Sequence, residues 1–191
     1  MKNFTGTGVA LITPFTEQGN IDVEGLRHLV SYVIEGGVDF LVALGTTAET
    51  PTLTDEERAQ VVEIITSENA GRLPVMVGVG GNSTQAIVRE LQILPWIKKC
   101  DAVLSVTPYY NKPSQQGMYE HFKAIAENSP LPVCLYNVPG RTGVNLNGAT
   151  TVRLAHDCPN IMAIKEASGN FEQATEILKG KRQDFMAFSG D

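Results

Sequence analysis

Val133-Cys134-Leu135-Tyr136-Asn137 and, 28 residues further on, Ile161-Met162-Ala163-Ile164-Lys165 are two short apolar runs, each ending in polar residues. Between them Ala149 to Ala155 reads as an amphipathic helix. Runs that are continuously apolar, not alternating, suit strands covered on both faces, as in parallel sheets crossed by helices. Working outward, the same unit repeats. Further strand candidates are Gly8 to Thr13, Phe40 to Leu44, Val75 to Gly80, Ala102 to Thr107 and Phe185 to Ser189. Helical patterns lie between them at Val23 to Ile34, Asp55 to Thr66, Ser83 to Leu94, from Ser114 on, and Phe171 to Leu178. Thr54 followed by Glu57 is a capping box, a helix-start signal in its own right. Strand and helix alternate six times and a seventh strand follows. Right-handed βαβ units leave two main architectures, a closed (β/α)8 barrel or an open doubly wound sheet.

The composition narrows the function. The chain has 191 residues, Lys+Arg 15 against Asp+Glu 21, and a net charge of -6. With 42% hydrophobic and 19% charged residues it is a globular composition. The acidic balance argues against a general nucleic-acid binder and against adhesion to anionic membranes. No apolar run approaches the roughly 18 residues of a spanning helix, and the N-terminal stretch lacks the layout of a secretory signal. Cys100, Cys134 and Cys158 form no Cys-x-x-Cys pair and no zinc pattern, which is expected of a reduced, cytoplasmic protein whose thiols fill its core. His28, His121 and His156 share no motif, so no metal is expected.

The chemistry gathers where strands end. Lysine is seldom buried unless paired or functional, and desolvation disfavours its charged form, leaving a nucleophilic amine able to form a Schiff base with a carbonyl. Lys165 could do this, or could turn outward or pair with Glu166. Tyr136 ends the neighbouring strand and could exchange protons with such an amine; otherwise it is a core tyrosine. Arg141, in the Pro/Gly turn after Tyr136, could fork a carboxylate or lie idle on the surface. Gly45-Thr46-Thr47 offers amides and hydroxyls to an anion. Gly78-Val79-Gly80-Gly81-Asn82-Ser83 is a weaker anion loop that also reads as a tight turn with a helix cap.

Four stretches in register, Gly45-Thr46-Thr47-Ala48-Glu49, Thr107-Pro108-Tyr109-Tyr110-Asn111, Tyr136-Asn137-Val138-Pro139-Gly140-Arg141-Thr142-Gly143 and Ile164-Lys165-Glu166-Ala167, resemble the family of pyruvate-dependent aldolases and lyases that includes dihydrodipicolinate synthases and N-acetylneuraminate lyases. The resemblance runs from Gly6 to the last residues. It implies a (β/α)8 barrel, no cofactor beyond a covalent lysine–pyruvate imine, and a homotetramer built from dimers. Lys165 matches the imine-forming lysine and Tyr136 its proton shuttle. Thr47 matches the hydroxyl that links Tyr136 to Tyr110, and Tyr110 matches a tyrosine supplied by a neighbouring subunit. Thr46 and Thr47 would hold the pyruvate carboxylate, and Arg141 would receive the carboxylate of aspartate semialdehyde. Arg141 and the Thr46-Thr47 pair favour this branch over the sialic-acid lyases.

Two expectations carry a tension. Ala48 stands where the family usually has glycine, and alanine is costly if that position needs φ > 0. A (β/α)8 barrel takes about 250 residues. The 191 residues here are therefore expected to be a single barrel domain incomplete at its C-terminus, lacking the eighth strand. Such a chain by itself is expected to have little activity, leaving a non-catalytic fragment as the reading of another class.

Overall fold

The computed structural model describes residues 2–190. The chain divides into two compact units. One holds Gly78 and what precedes it, together with Pro95–Ala102; the other holds Val79–Leu94 and Val103 onward.

The first unit is built from β1 (Gly8–Ala10), α1 (Val23–Glu35), β2 (Phe40–Ala43), α2 (Asp55–Asn69) and β3 (Val75–Gly78). Its strands are parallel, with Val9 opposite Leu41 and Val42 opposite Met76. Every residue of β2 is buried, which accounts for its unbroken apolar run. β1 ends earlier than its apolar run suggests. Leu11 N–H still reaches Val42 O at 3.0 Å, but the Thr13 hydroxyl turns away to donate to Ala48 O at 2.8 Å and Pro14 has no N–H to offer. Asp22 caps α1 by accepting from Gly25 N, and Leu26 and Val30 are buried. The capping box of α2 forms in both directions, Glu57 N–H to Thr54 Oγ1 and Thr54 N–H to the Glu57 carboxylate.

The second unit comprises α3 (Thr84–Ile93), β4 (Ala102–Val106) from Val103 on, α4 (Gln115–Asn128), β5 (Val133–Asn137), α5 (Pro139–Thr142), α6 (Gly148–Asp157), β6 (Ile161–Glu166), α7 (Phe171–Gly180) and β7 (Met186–Ser189). β4 through β7 are parallel neighbours in chain order. β5 is buried throughout. In β7 half-buried Met186 and Phe188 alternate with exposed Ala187 and Ser189, the pattern of a strand with one face to solvent. Cys100, Cys134 and Cys158 are buried. Burial pushes the Cys100 and Cys134 thiols up to about 12, so they are inert filler at neutral pH. Among the described residues no helix is long and apolar enough to cross a membrane, and no group of three or more His, Cys, Asp or Glu could hold a metal ion.

His121 on α4 gives this unit a pH dependence. It is buried, with Nδ1 2.8 Å from the Thr84 hydroxyl, while Nε2 is enclosed without a partner. Desolvation pushes its pKa down to about 4. An unfolded chain, with histidine near 6.5, binds more protons between these values, so stability falls as pH drops from about 6.5 towards 4. Wild type is expected to lose about 2–3 kcal/mol more between pH 7 and 4.5 than a His121→Gln variant. Urea melts at the two pH values check this; equal losses in the two proteins would contradict it.

Candidate active site

β5 and β6 run side by side with Tyr136 opposite Lys165 and Asn137 opposite Glu166. Because successive strand side chains point to opposite faces, Tyr136 and Lys165 share one face and Asn137 and Glu166 the other. Lys165 Nζ lies 4.5 Å from the centre of the Tyr136 ring. Tyr136 is buried and Lys165 half-buried. Lys165 therefore does not turn away from the strand end, and the Glu166 carboxylate is engaged elsewhere: it accepts from Asn137 Nδ2, Gln173 Nε2 and Ser168 N–H. Cys134, two residues below Tyr136 on the same strand face, remains a neutral thiol. An amine against a phenol ring, above an apolar and neutral layer, can present a nucleophile to a carbonyl and exchange protons beside it.

The backbone closes on Lys165 from the adjacent strand end. Gly190 N–H donates to Glu166 O at 2.9 Å. A Cβ at Gly190 would lie 3.0 Å from Lys165 Cε and 2.6 Å from Ala167 Cβ, so glycine is what lets this segment approach the lysine stem.

Arg141 and Tyr110 lie in the same unit, beyond the ends of β5 and β4 respectively. The sequence around Arg141 reads as a Pro/Gly turn, but Pro139–Thr142 forms a short helix that ends at Gly143 with φ +74°. Pro139 at its start has no N–H to lose, and a glycine takes the left-handed cap. Arg141 is exposed. Both β5 and this helix are tied to the end of β4: Thr107 N–H donates to Tyr136 O of β5 at 2.9 Å, and the buried Thr107 hydroxyl donates to Thr142 Oγ1 of the helix at 3.3 Å. Tyr110 is 88% exposed and holds φ +71°, with its N–H directed at Thr142 O at 3.4 Å. Lys112 is also left-handed, at φ +49°. Two non-glycine residues in that region cost about 1–3 kcal/mol each, and Asn111 steadies the loop by donating to Asn82 O at 2.9 Å.

Thr46 and Thr47 belong to the first unit, exposed on the turn that follows β2. Thr46–Ala48 is one turn of 3₁₀ helix. The amides of Ala48 and Glu49 close onto Gly45 O and Thr46 O, while the first amides of such a turn have no partner within it. The tension at Ala48 resolves here. The left-handed residues are its neighbours Leu44 and Glu49, at φ 50° and 55°; Ala48 sits within the 3₁₀ turn and its side chain is buried, so no glycine is needed there. Gly78 has the steric role instead, since a Cβ there would lie 1.9 Å from Leu44 O. Ser83 caps α3. The Gly78 to Ser83 stretch thus behaves as a packing turn and helix cap.

Parallel strands alternating with helices, with polar side chains at the C-terminal ends of strands within each unit, define the class: an α/β protein built from βα units. Comparison with known proteins makes this specific. The model of the dihydrodipicolinate synthetase family matches residues 3–191, and the chain belongs to that family. The 4-hydroxy-tetrahydrodipicolinate synthase of Flavobacterium psychrophilum is 52% identical over 191 residues, covering 100% of this chain and 65% of that protein. A crystal structure of the Acinetobacter baumannii dihydrodipicolinate synthase complexed with pyruvate superposes with a TM-score of 0.93 at 43% identity, over 99% of this chain and 64% of that one. A monomeric dihydrodipicolinate synthase variant gives a TM-score of 0.90 at 41% identity, over 97% and 62%. The fold is that of the (β/α)8 barrel, and the chain spans about 65% of the length of the curated relatives it matches.

The sequence offers Glu166 only as a partner for Lys165, and does not single out Asn137, Asn145, Gln173 or Gly190. The available signal was alternation. A polar residue next to a site residue at the end of a buried strand must face the opposite layer, where it needs partners of its own.

Proposed function

We propose that this chain carries the Schiff-base chemistry of a 4-hydroxy-tetrahydrodipicolinate synthase, as one barrel domain acting in the cytoplasm in the formation of diaminopimelate and lysine. The carrying observation is the Lys165–Tyr136 pair on facing positions of β5 and β6. The name shared by its relatives supports the synthase over a sugar-acid lyase.

The Lys165 amine attacks the keto carbon of pyruvate, and the resulting carbinolamine loses water to give an imine. Tyr136 carries the protons that this exchange moves between nitrogen and oxygen. Loss of a methyl proton gives an enamine, whose carbon bonds to the aldehyde carbon of aspartate semialdehyde. The amine of the semialdehyde then displaces Lys165 from the imine carbon, closing the ring and freeing the lysine. One water leaves for each pair of substrates joined, and no metal or further cofactor enters the balance. Thr46 and Thr47 hold the pyruvate carboxylate, Thr47 also linking Tyr136 to Tyr110. Tyr110 acts from a neighbouring subunit in a homotetramer built from dimers, a role consistent with its exposed ring on a strained loop. Arg141 receives the semialdehyde carboxylate.

The test is turnover in a full-length protein carrying this sequence. Product from pyruvate with aspartate semialdehyde, and no pyruvate released from N-acetylneuraminate, is the expected result; the reverse would overturn the reading. In the same assay Arg141→Ala is expected to raise KM for aspartate semialdehyde at least about tenfold, the cost of a lost charge-assisted contact, and to leave KM for pyruvate within about twofold. Equal effects on both substrates would remove Arg141 from this role.

A further inference from the structure

We infer that Asn137 and Glu166 are a positioning pair that sets the facing of Tyr136 and Lys165 across the β5–β6 boundary; this deepens the proposed lysine chemistry and rests on it. Each member follows a site residue by one position, so each lies on the opposite face of its strand, directly behind the site. Asn137 is fully buried. Its Nδ2 donates to Glu166 Oε2 and Oε1 at 3.0 and 3.2 Å and to Asn145 Oδ1 at 2.8 Å, and its Oδ1 accepts from Leu146 N–H at 2.9 Å. Glu166 also accepts from Gln173 Nε2 at 2.9 Å and from Ser168 N–H at 2.8 Å. Asn145 Nδ2 closes the circuit onto Gln173 Oε1 at 2.7 Å. The network joins the ends of two strands, the loop after α5 and the first turn of α7.

Its donors and acceptors balance only with a carboxylate at 166. Both oxygens face donors, so the NH₂ of a glutamine would meet an N–H in either orientation. Relief requires Asn137 to turn over, which abandons Leu146 N–H, or Gln173 to do so. A buried donor left unpaired costs about 1–3 kcal/mol. The strand ends carrying Tyr136 and Lys165 are the backbone that must move to recover it. Exchanging the two roles, with Asp at 137 and Gln at 166, lets the Asn145 and Gln173 amides turn over together with the exposed Asn147 amide that Asn145 meets, and pairs every group again.

The experiment compares wild type, Glu166→Gln and the double variant Asn137→Asp/Glu166→Gln. The first readout is the rate at which pyruvate with borohydride modifies Lys165. The second is trace acetylation of Lys165 relative to Lys123 by acetic anhydride, which needs no substrate. Glu166→Gln is expected to trap pyruvate about tenfold or more slowly, the scale of a misplaced reacting group, while relative acetylation rises about threefold as the strand end opens. The double variant is expected to return both readouts to within about threefold of wild type. Glu166→Gln at wild-type values, or a double variant no better than the single one, overturns the proposal. If wild type traps no pyruvate, the proposed function fails and the acetylation ratios alone decide the positioning role. If Glu166→Gln does not fold, Gln173→Leu removes one donor from Glu166 and is expected to slow trapping about threefold; an unchanged rate and ratio overturn the proposal.

Discussion

Lys165→Ala is expected to abolish imine formation and to lower turnover by about a thousandfold or more, because the proposed reaction runs through a covalent bond to that nitrogen. The folded state should tolerate the change. Lys165 is half-buried, its stem packs beside Gly190, and Glu166, its neighbour in sequence, is satisfied by Asn137, Gln173 and Ser168. Removing the amine therefore leaves no buried carboxylate without a partner. Lys165→Arg sharpens the result. It keeps a long cationic chain, but a guanidinium does not deprotonate in proteins and cannot serve as the nucleophile, so it should be as inactive as the alanine variant. Stopped-flow turnover beside a thermal melt separates loss of chemistry from loss of fold. Appreciable turnover in either variant would mean that another group forms the bond.

The second large effect is expected at Tyr136. Tyr136→Phe removes one oxygen and leaves the ring that lies 4.5 Å from Lys165 Nζ. Packing against the lysine stem is kept while proton transfer is lost, so kcat should fall about 10²–10³-fold. KM for pyruvate should stay within about threefold. The imine should still form, slowly, and be trapped by borohydride. That combination separates a proton shuttle from a residue that only fills space: a space-filling tyrosine would give a phenylalanine variant with unchanged kcat.

The placement of Tyr136 beside Lys165 is legible in the sequence because these residues sit on top of a simple pattern. A lysine ending Ile161-Met162-Ala163-Ile164 and a tyrosine ending Val133-Cys134-Leu135 stand out against apolar strands, and parallel neighbours place them together. β5 falls on the expected residues, and β6 runs one further to Glu166. Helix starts are equally legible, since Thr54, Ser83 and Ser114 each accept a hydrogen bond from the first turn. Helix ends are harder. α2 runs past Thr66 to Asn69, whose side chain then ties back to both backbone groups of Leu73, and Ala70 takes the left-handed cap. Nothing local to the helix announces that contact. The Asn137–Glu166 network is hidden for a related reason. It depends on the register between two strands and on residues from two further segments, so no single window of sequence contains it. Ala48 is the converse case: it departs from the family pattern at a position that does not need glycine's backbone freedom, because the left-handed conformations fall on either side of it.

The account stands or falls on the bond between Lys165 and pyruvate. The most direct measurement is the mass of the protein after treatment with pyruvate and borohydride, followed by peptide mapping. The predicted result is one pyruvate-derived addition per chain, located on Lys165. An unmodified folded protein, or an addition placed on any other lysine, would contradict it.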